Sequence, residues 1–411
     1  MPADRFTPLH DRHLGLGATM ASFAGYDMPL WYQSGAVREH LAVVNAAGIF
    51  DTSHMDVVLV SGTTAAAFLD YAFTRDIGSI RPNRCGYGAF LREDGSCIDD
   101  GIVYPLADGR YGIVLNAAMA EPVTAHLRTM PGAEAVVVAR PSVPLGKIDI
   151  QGPLAFALVR TLFADHSLFA SFPYFSFRGD FDLGRSDVIL ADGTPAVLSR
   201  TGYTGELGFE LFIPAERTGA VWDRLIDRGT DRGVLPAGLA ARDSLRTGAV
   251  LPLSHQDIGP WPFLNHPWAF ALPLAADGSF SKDFFGRSGL AGAANVPYTL
   301  PFAGFDQRRV EAADSVVLHD GLPVGTATTV VSDMAVGRVE GRIVSVASPG
   351  RPDGFKPRGL ACGFVRCDRE FLPGERLVLK DARREIPVEI VRDIRPDRTA
   401  RKALGSVVAV I

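Results

Sequence analysis

The sequence predicts an α+β protein of more than one domain that ends in a small β-barrel, and three observations lead there. Amphipathic helical stripes alternate with short β-rich runs up to about residue 300. The 43 glycines and 28 prolines punctuate these segments too often for a helical bundle. After about residue 300 the texture changes to short β-type runs between turn residues. With 411 residues, 47% of them hydrophobic, the chain buries more apolar surface than one small core needs.

Taken in order, residues 37–47 and 64–73 carry the apolar spacing of amphipathic helices. Leu154, Leu158 and Leu162 recur on one helical stripe, and Val221, Trp222, Leu225 and Ile226 form another that Gly229 and Gly233 close. A short helix is expected to start near Gly238 and to carry Arg242 and Arg246, four apart, on one face. Runs at 316–318, 329–331, 343–344, 377–379 and 387–391 supply the barrel strands, and 348–354 is its most loop-like part.

Charge and composition exclude several function classes. Charged residues are 21% of the chain and the net charge is −5, so the basic field of a nucleic-acid binder is missing. Four cysteines (Cys85, Cys97, Cys362, Cys367) form neither a C-x-x-C pair nor a zinc set and read as reduced thiols. No H-E-x-x-H pattern occurs, and no metal is expected. Gly15-Leu16-Gly17 lacks a preceding strand and reads as a turn. The start, Met1 to Arg5, shows no basic region followed by an apolar one, and no uncharged run approaches the roughly 20 residues that span a bilayer. A cytoplasmic location and no membrane partner follow by elimination.

Three segments combine glycine-permitted turns with polar groups that ordinary alternation does not explain. In the first, Gly86-Tyr87-Gly88 precedes Asp94-Gly95-Ser96-Cys97-Ile98-Asp99-Asp100-Gly101, where carboxylates enter an apolar strand. A hairpin with a solvated acidic turn is the competing reading. The second, 200–210, places Tyr203, Glu206 and Glu210 around a glycine-rich loop, or is a hairpin with glutamates in water. The third, Ala240-Ala241-Arg242-Asp243-Ser244-Leu245-Arg246, is also compatible with an exposed helix face holding an internal ion pair. His54 invites a general-base reading, yet no acid is visible nearby, so a structural histidine at a domain junction is expected.

Together with Thr7-Pro8-Leu9, Phe23-Ala24-Gly25-Tyr26-Asp27-Met28-Pro29 and Phe50-Asp51-Thr52-Ser53-His54-Met55, these segments resemble the T-protein (aminomethyltransferase) family of the glycine cleavage system. That family reads close to F-A-G-W-x-M-P, F-D-V-S-H-M, I-D-D-L, G-Y-T-G-E-x-G-x-E and G-L-x-A-R-D-x-L-R. The resemblance implies a three-domain, cloverleaf-like fold around a folate channel. Domain 1 would comprise residues 1–57 plus 142–248, domain 2 residues 58–141 plus 249–297, and the C-terminal barrel 298–411. It further implies that Asp100 is the catalytic carboxylate, that Glu210 grips the pterin, that Arg242 meets the folate's glutamate tail at the far end, and that Tyr87, Asn116 and Tyr203 line the folate site.

These implied roles suit the chemistry. A carboxylate accepts the pterin's parallel N–H donors in bidentate fashion, which fits Glu210. A tail carboxylate suits the planar fork of Arg242, with Arg246 as a helper. A buried acid beside a cationic, iminium-like carbon stabilises its charge and relays a proton, the role read for Asp100. Strand alternation would turn Asp99 to the opposite side and make it an internal control.

Departures from the pattern concern the donor. The family continues R-L-E-A-G-x-P-L-Y-G-x-D-I, whereas Gly248 and Ser254 here replace the Glu and Tyr, and the stretch from Trp261 to Trp268 is unusually aromatic. The region 331–344 carries insertions and the tail 394–401 runs past the usual end. The leading reading is tetrahydrofolate-dependent aminomethyl transfer, giving methylenetetrahydrofolate and ammonia, with a lipoylated carrier protein as partner and donor. One alternative keeps the folate site and takes a methyl group from a small N-, O- or S-methyl compound. Another is a non-catalytic folate-binding accessory protein, whose K-G-C-Y-x-G-Q-E motif does not occur.

Overall fold

Strict alternation in Gly146-Lys147-Ile148-Asp149-Ile150-Gln151 makes a strand with one apolar and one polar face. Leu145–Gln151 accordingly lies inside a six-stranded sheet whose order is Phe177–Arg178, Val197–Ser199, Gly208–Pro214, Leu145–Gln151, Gly48–Asp51 and Leu235–Pro236. Ile148, Ile150, Phe209 and Leu211 pack under helices Ala155–Arg160 and Thr218–Gly229, where Leu158, Trp222 and Leu225 are buried. The opposite face carries Lys147, Asp149 and Glu210, with Glu210 paired in register to Asp149. The computed structural model describes residues 5–408; residues 1–4, on which the reading of the amino terminus partly rests, lie outside the described residues.

The second sheet has five antiparallel strands, in the order Gly86–Leu91, Cys97–Pro105, Tyr111–Leu115, Asp56–Ser61 and Val137–Ala139. Helices Ala65–Ala72 and Ala120–Arg128 cover one face. The other face, with Tyr87, Ala89 and Cys97, is covered by Ile258, Phe263 and Trp268. Phe90 pairs with Asp99 but Leu91 with Cys97, so Ile98 is the extra residue of a β-bulge just before the two aspartates. Because both faces are covered, neither aspartate is solvated by a hairpin tip; the exposed acids of that turn are Glu93 and Asp94.

The C-terminal region is a closed barrel of six antiparallel strands, ordered Tyr298–Gly304, Leu360–Cys367, Leu322–Asp333, Val316–His319, Arg376–Lys380 and Glu385–Ile390. Four of the five expected runs lie in it. The run at 343–344 does not: it belongs to a separate hairpin, Val336–Val339 with Arg342–Ser345. Its base is held away from the barrel because Ala335 and Val346 pack on the cluster of Ala241 and Leu245 from helix Leu239–Gly248.

The tail past Ile390 is structural. Arg395 is fully buried and bonds Asp333 at 2.7 Å and Glu206 at 3.2 Å, and its backbone N–H donates to the carbonyl of Gly248. A Cβ on Gly248 would come within 1.8 Å of Asp333 Oδ2, which is why a side chain is absent there. All four cysteines are free and buried. Among the described residues no helix is long and apolar enough to cross a membrane.

Candidate functional site

The polar face of the first sheet and the second sheet's inner end meet at a cavity of about 1610 Å³, closed by the 249–274 segment and by barrel residues 298–301. It exceeds the roughly 300–1,000 Å³ of ordinary small-ligand pockets, leaving room for an extended molecule. Asp100, Tyr87, Asn116, Tyr203, Glu210 and Arg242, drawn from separate motifs, all line it.

Asp100 is buried, and each of its carboxylate oxygens has a donor. Tyr87 Oη donates to Oδ2 at 2.9 Å and Asn116 Nδ2 to Oδ1 at 3.0 Å. Burial, then the neighbouring Asp99, pushes the carboxyl up to about 6, with hydrogen bonds from Ser254 and Tyr87 opposing. Asp99 is fully buried and, unlike Asp100, does not line the cavity. It is nevertheless not an independent control. The same Asn116 Nδ2 donates to Asp99 Oδ1 at 2.8 Å, and the Asn116 backbone N–H donates to Oδ2 at 3.1 Å. The two carboxylates therefore position one shared amide.

Glu210 is fixed at both oxygens, by the Lys147 ammonium on Oε1 and the Thr201 hydroxyl on Oε2. Lys147 also donates to Asp149 at 2.6 Å and to Thr52 at 3.0 Å, and Asp149 Oδ2 lies 3.4 Å from Arg242 Nη1. Arg242 thus connects to Glu210 through three hydrogen bonds. The reason is local: helix Leu239–Gly248 lays its guanidinium over the Tyr203 ring, 4.9 Å from the centroid, beside the sheet's polar face. Tyr203 is anchored in turn, donating to the carbonyl of Pro252 at 2.6 Å.

Arg246 does not share the cavity. It is fully buried, pairs with Asp257 and with Asp243, and donates to Thr329 of the barrel at 3.0 Å, so it joins domains rather than ligand. Glu206 belongs to the cavity lining but is buried there, held by Arg395 and Thr399. His54 is buried with its ring edge-on to Phe23 at 5.5 Å, and burial, then the charge of Arg242, lowers it to about 4. It lines the cavity as a neutral imidazole whose Nδ1 has no hydrogen-bond partner among the described residues.

Sequence reasoning passed over Lys147 and His255. The signal for Lys147 was present: three polar residues on one face of a strand buried on both sides require a network. His255 carried no such signal, since it reaches Asp99 only through the fold, at 3.2 Å. Trp268 stands edge-on to Tyr87 at 4.3 Å, giving the cavity an aromatic wall. Among the described residues no group of three or more His, Cys, Asp and Glu could hold a metal ion.

The family model described as GCVT N-terminal domain matches residues 9–261. An aminomethyltransferase of Saccharopolyspora erythraea is 33% identical over 95% of this chain and 98% of its own. One from Thermus thermophilus is 38% identical over 87% and 90% respectively. The crystal structure of glycine cleavage system aminomethyltransferase T from Bartonella henselae superposes with a TM-score of 0.75 at 24% identity, covering 94% of this chain and 96% of that one, and so shares its fold. With six motif residues gathered on one cavity and relatives matched over nearly their whole length, this chain belongs to the aminomethyltransferase, or glycine cleavage T-protein, family.

Proposed function

We propose that the cavity binds tetrahydrofolate and that the protein transfers an aminomethyl-derived one-carbon unit to it, giving methylenetetrahydrofolate and ammonia. The observation that carries this reading is that Asp100 and Glu210, distant in sequence, line the same hollow. The residues present fit a folate. Its flat rings suit the aromatic wall of Tyr87, Tyr203 and Trp268. A carboxylate has about four acceptor positions, so Lys147 and Thr201 orient Glu210 and leave lone pairs for two parallel ring N–H donors. Unpartnered His54 Nδ1 adds a neutral polar contact. Arg242, stacked on Tyr203, supplies a permanent positive fork for a carboxylate of the bound molecule.

When bound, tetrahydrofolate supplies the amine that accepts the carbon. The protein's part is electrostatic and protonic. Asp100, gripped by Tyr87 and Asn116, holds negative charge at a fixed point where a cationic carbon develops, and takes or returns a proton at its carboxylate. Asn116 keeps Oδ1 in place and Tyr87 keeps Oδ2 in place. The carrier that delivers the aminomethyl group in this reading is a lipoylated protein.

The test incubates the protein with tetrahydrofolate and either an aminomethyl-loaded lipoylated carrier or a panel of methylated amines, ethers and sulfonium compounds, and resolves the folate products. Methylenetetrahydrofolate formed only with the carrier is expected. Methyltetrahydrofolate from a small donor, or tight folate binding with no turnover, overturns the reading.

A further inference from the structure

Residues 254–258 form one tight turn, closed by Asp257 N–H donating to Leu253 O at 2.8 Å and Gly259 N–H to Ser254 O at 2.7 Å. The turn brings Ser254 Oγ to 3.4 Å and His255 Nε2 to 3.2 Å from Asp99 Oδ1. The His255 side chain is 56% exposed and lines the cavity, whereas the Asp99 side chain is fully buried. An imidazole in reach of solvent therefore bonds a carboxylate that has no exposure of its own. That carboxylate shares one amide nitrogen with Asp100, the next residue.

Two carboxylates on adjacent buried residues cannot both hold a full charge at low cost. A cation on one of them decides where the charge rests. Resting on the function proposed above, we infer that His255 is a positioning residue for Asp100: its imidazolium fixes the negative charge of the pair on Asp99, leaving Asp100 as the member that exchanges a proton with bound molecules. Among the described residues, His255 is the one cationic side chain that bonds either aspartate. Cys97 lies on the same strand, Tyr87 on the next, Arg92 beyond that strand's end, and Tyr203 and Ser254 across the cavity. Of these only Arg92 is cationic, and among the described residues it donates to the Cys97 carbonyl at 2.8 Å and the Ser96 hydroxyl at 3.4 Å, and to neither aspartate. The hydrogen bond to Asp99 raises His255 above its ordinary value and so favours the imidazolium.

The sign follows from charge. Removing the cation makes the pair more negative and holds a proton on Asp100 more tightly, so Asp100 must titrate at higher pH. The experiment follows by infrared difference spectroscopy the protonated-carboxyl band that is lost in Asp100→Asn, across pH, in the full-length protein and in His255→Gln and His255→Lys. An upward shift of about one pH unit in His255→Gln, reversed in His255→Lys, is expected. An unchanged midpoint in His255→Gln, or a shift that His255→Lys does not reverse, overturns the inference. Since this readout needs no turnover, a protein inactive with folate but showing the shift removes the functional proposal and leaves the inference standing.

Discussion

The hydroxyl of Tyr87 donates to Oδ2 of Asp100 at 2.9 Å from the adjacent strand, two positions off the register partner of Asp100, Ala89. This bond favours the charged carboxylate against the burial that opposes it. If the carboxylate is the working form, kcat rises with pH through about 6, where Asp100 titrates, and levels off above. Tyr87→Phe removes a donor to the charged form and should move that limb up by about one pH unit. Rate profiles against pH for the two proteins check it.

Asp100→Asn should slow turnover by about 10²- to 10⁴-fold while folate affinity, read by calorimetry, stays close to that of the parent. Asp99→Asn should also slow it, by about tenfold or more, because the Asn116 amide that serves Asp100 loses its second anchor. A silent Asp99→Asn variant would separate the two carboxylates again.

Lys147 is buried between Asp149 and Glu210. Lys147→Met leaves two carboxylates facing each other with Arg242, 3.4 Å from Asp149, as the remaining cation beside them. Breaking such a buried set costs about 3–5 kcal/mol, measurable as a lower urea midpoint, and folate binding should fall with it. Glu210→Gln, which removes one charge and keeps the shape, should weaken folate binding with a smaller loss of stability.

The joint of tail, barrel and helix makes a separate prediction. Gly248→Ala places a Cβ 1.8 Å from Asp333 Oδ2 and 2.9 Å from Arg395 Nη1, and should cost about 1–3 kcal/mol. Burial opposes the charge of Asp333, but Arg395 and His40 outweigh it and hold the carboxyl well below the usual range. A depressed carboxyl contributes stability above its unfolded value of about 4 and loses it as pH falls below. Acid unfolding of Asp333→Asn should therefore show a flatter loss of stability below that pH than the parent.

Local pattern alone determined much of this protein. The helix 37–47 appears as Ala36–Asn45, the helix beginning near Gly238 as Leu239–Gly248, and four of five barrel runs lie in a closed barrel, because apolar periodicity and glycine stops act within a few residues. The motif residues that line the cavity were legible through the family resemblance that their segments carry. What the tertiary structure decided is who shares a partner with whom. Asp99 and Asp100 meet on one amide, Arg242 joins Glu210 through Asp149 and Lys147, Arg246 turns to the barrel, and His255 reaches a carboxylate 156 residues before it. Burial on both sides of a sheet withdraws water, and each charge must then find its counterpart across the fold, at separations that local pattern does not record.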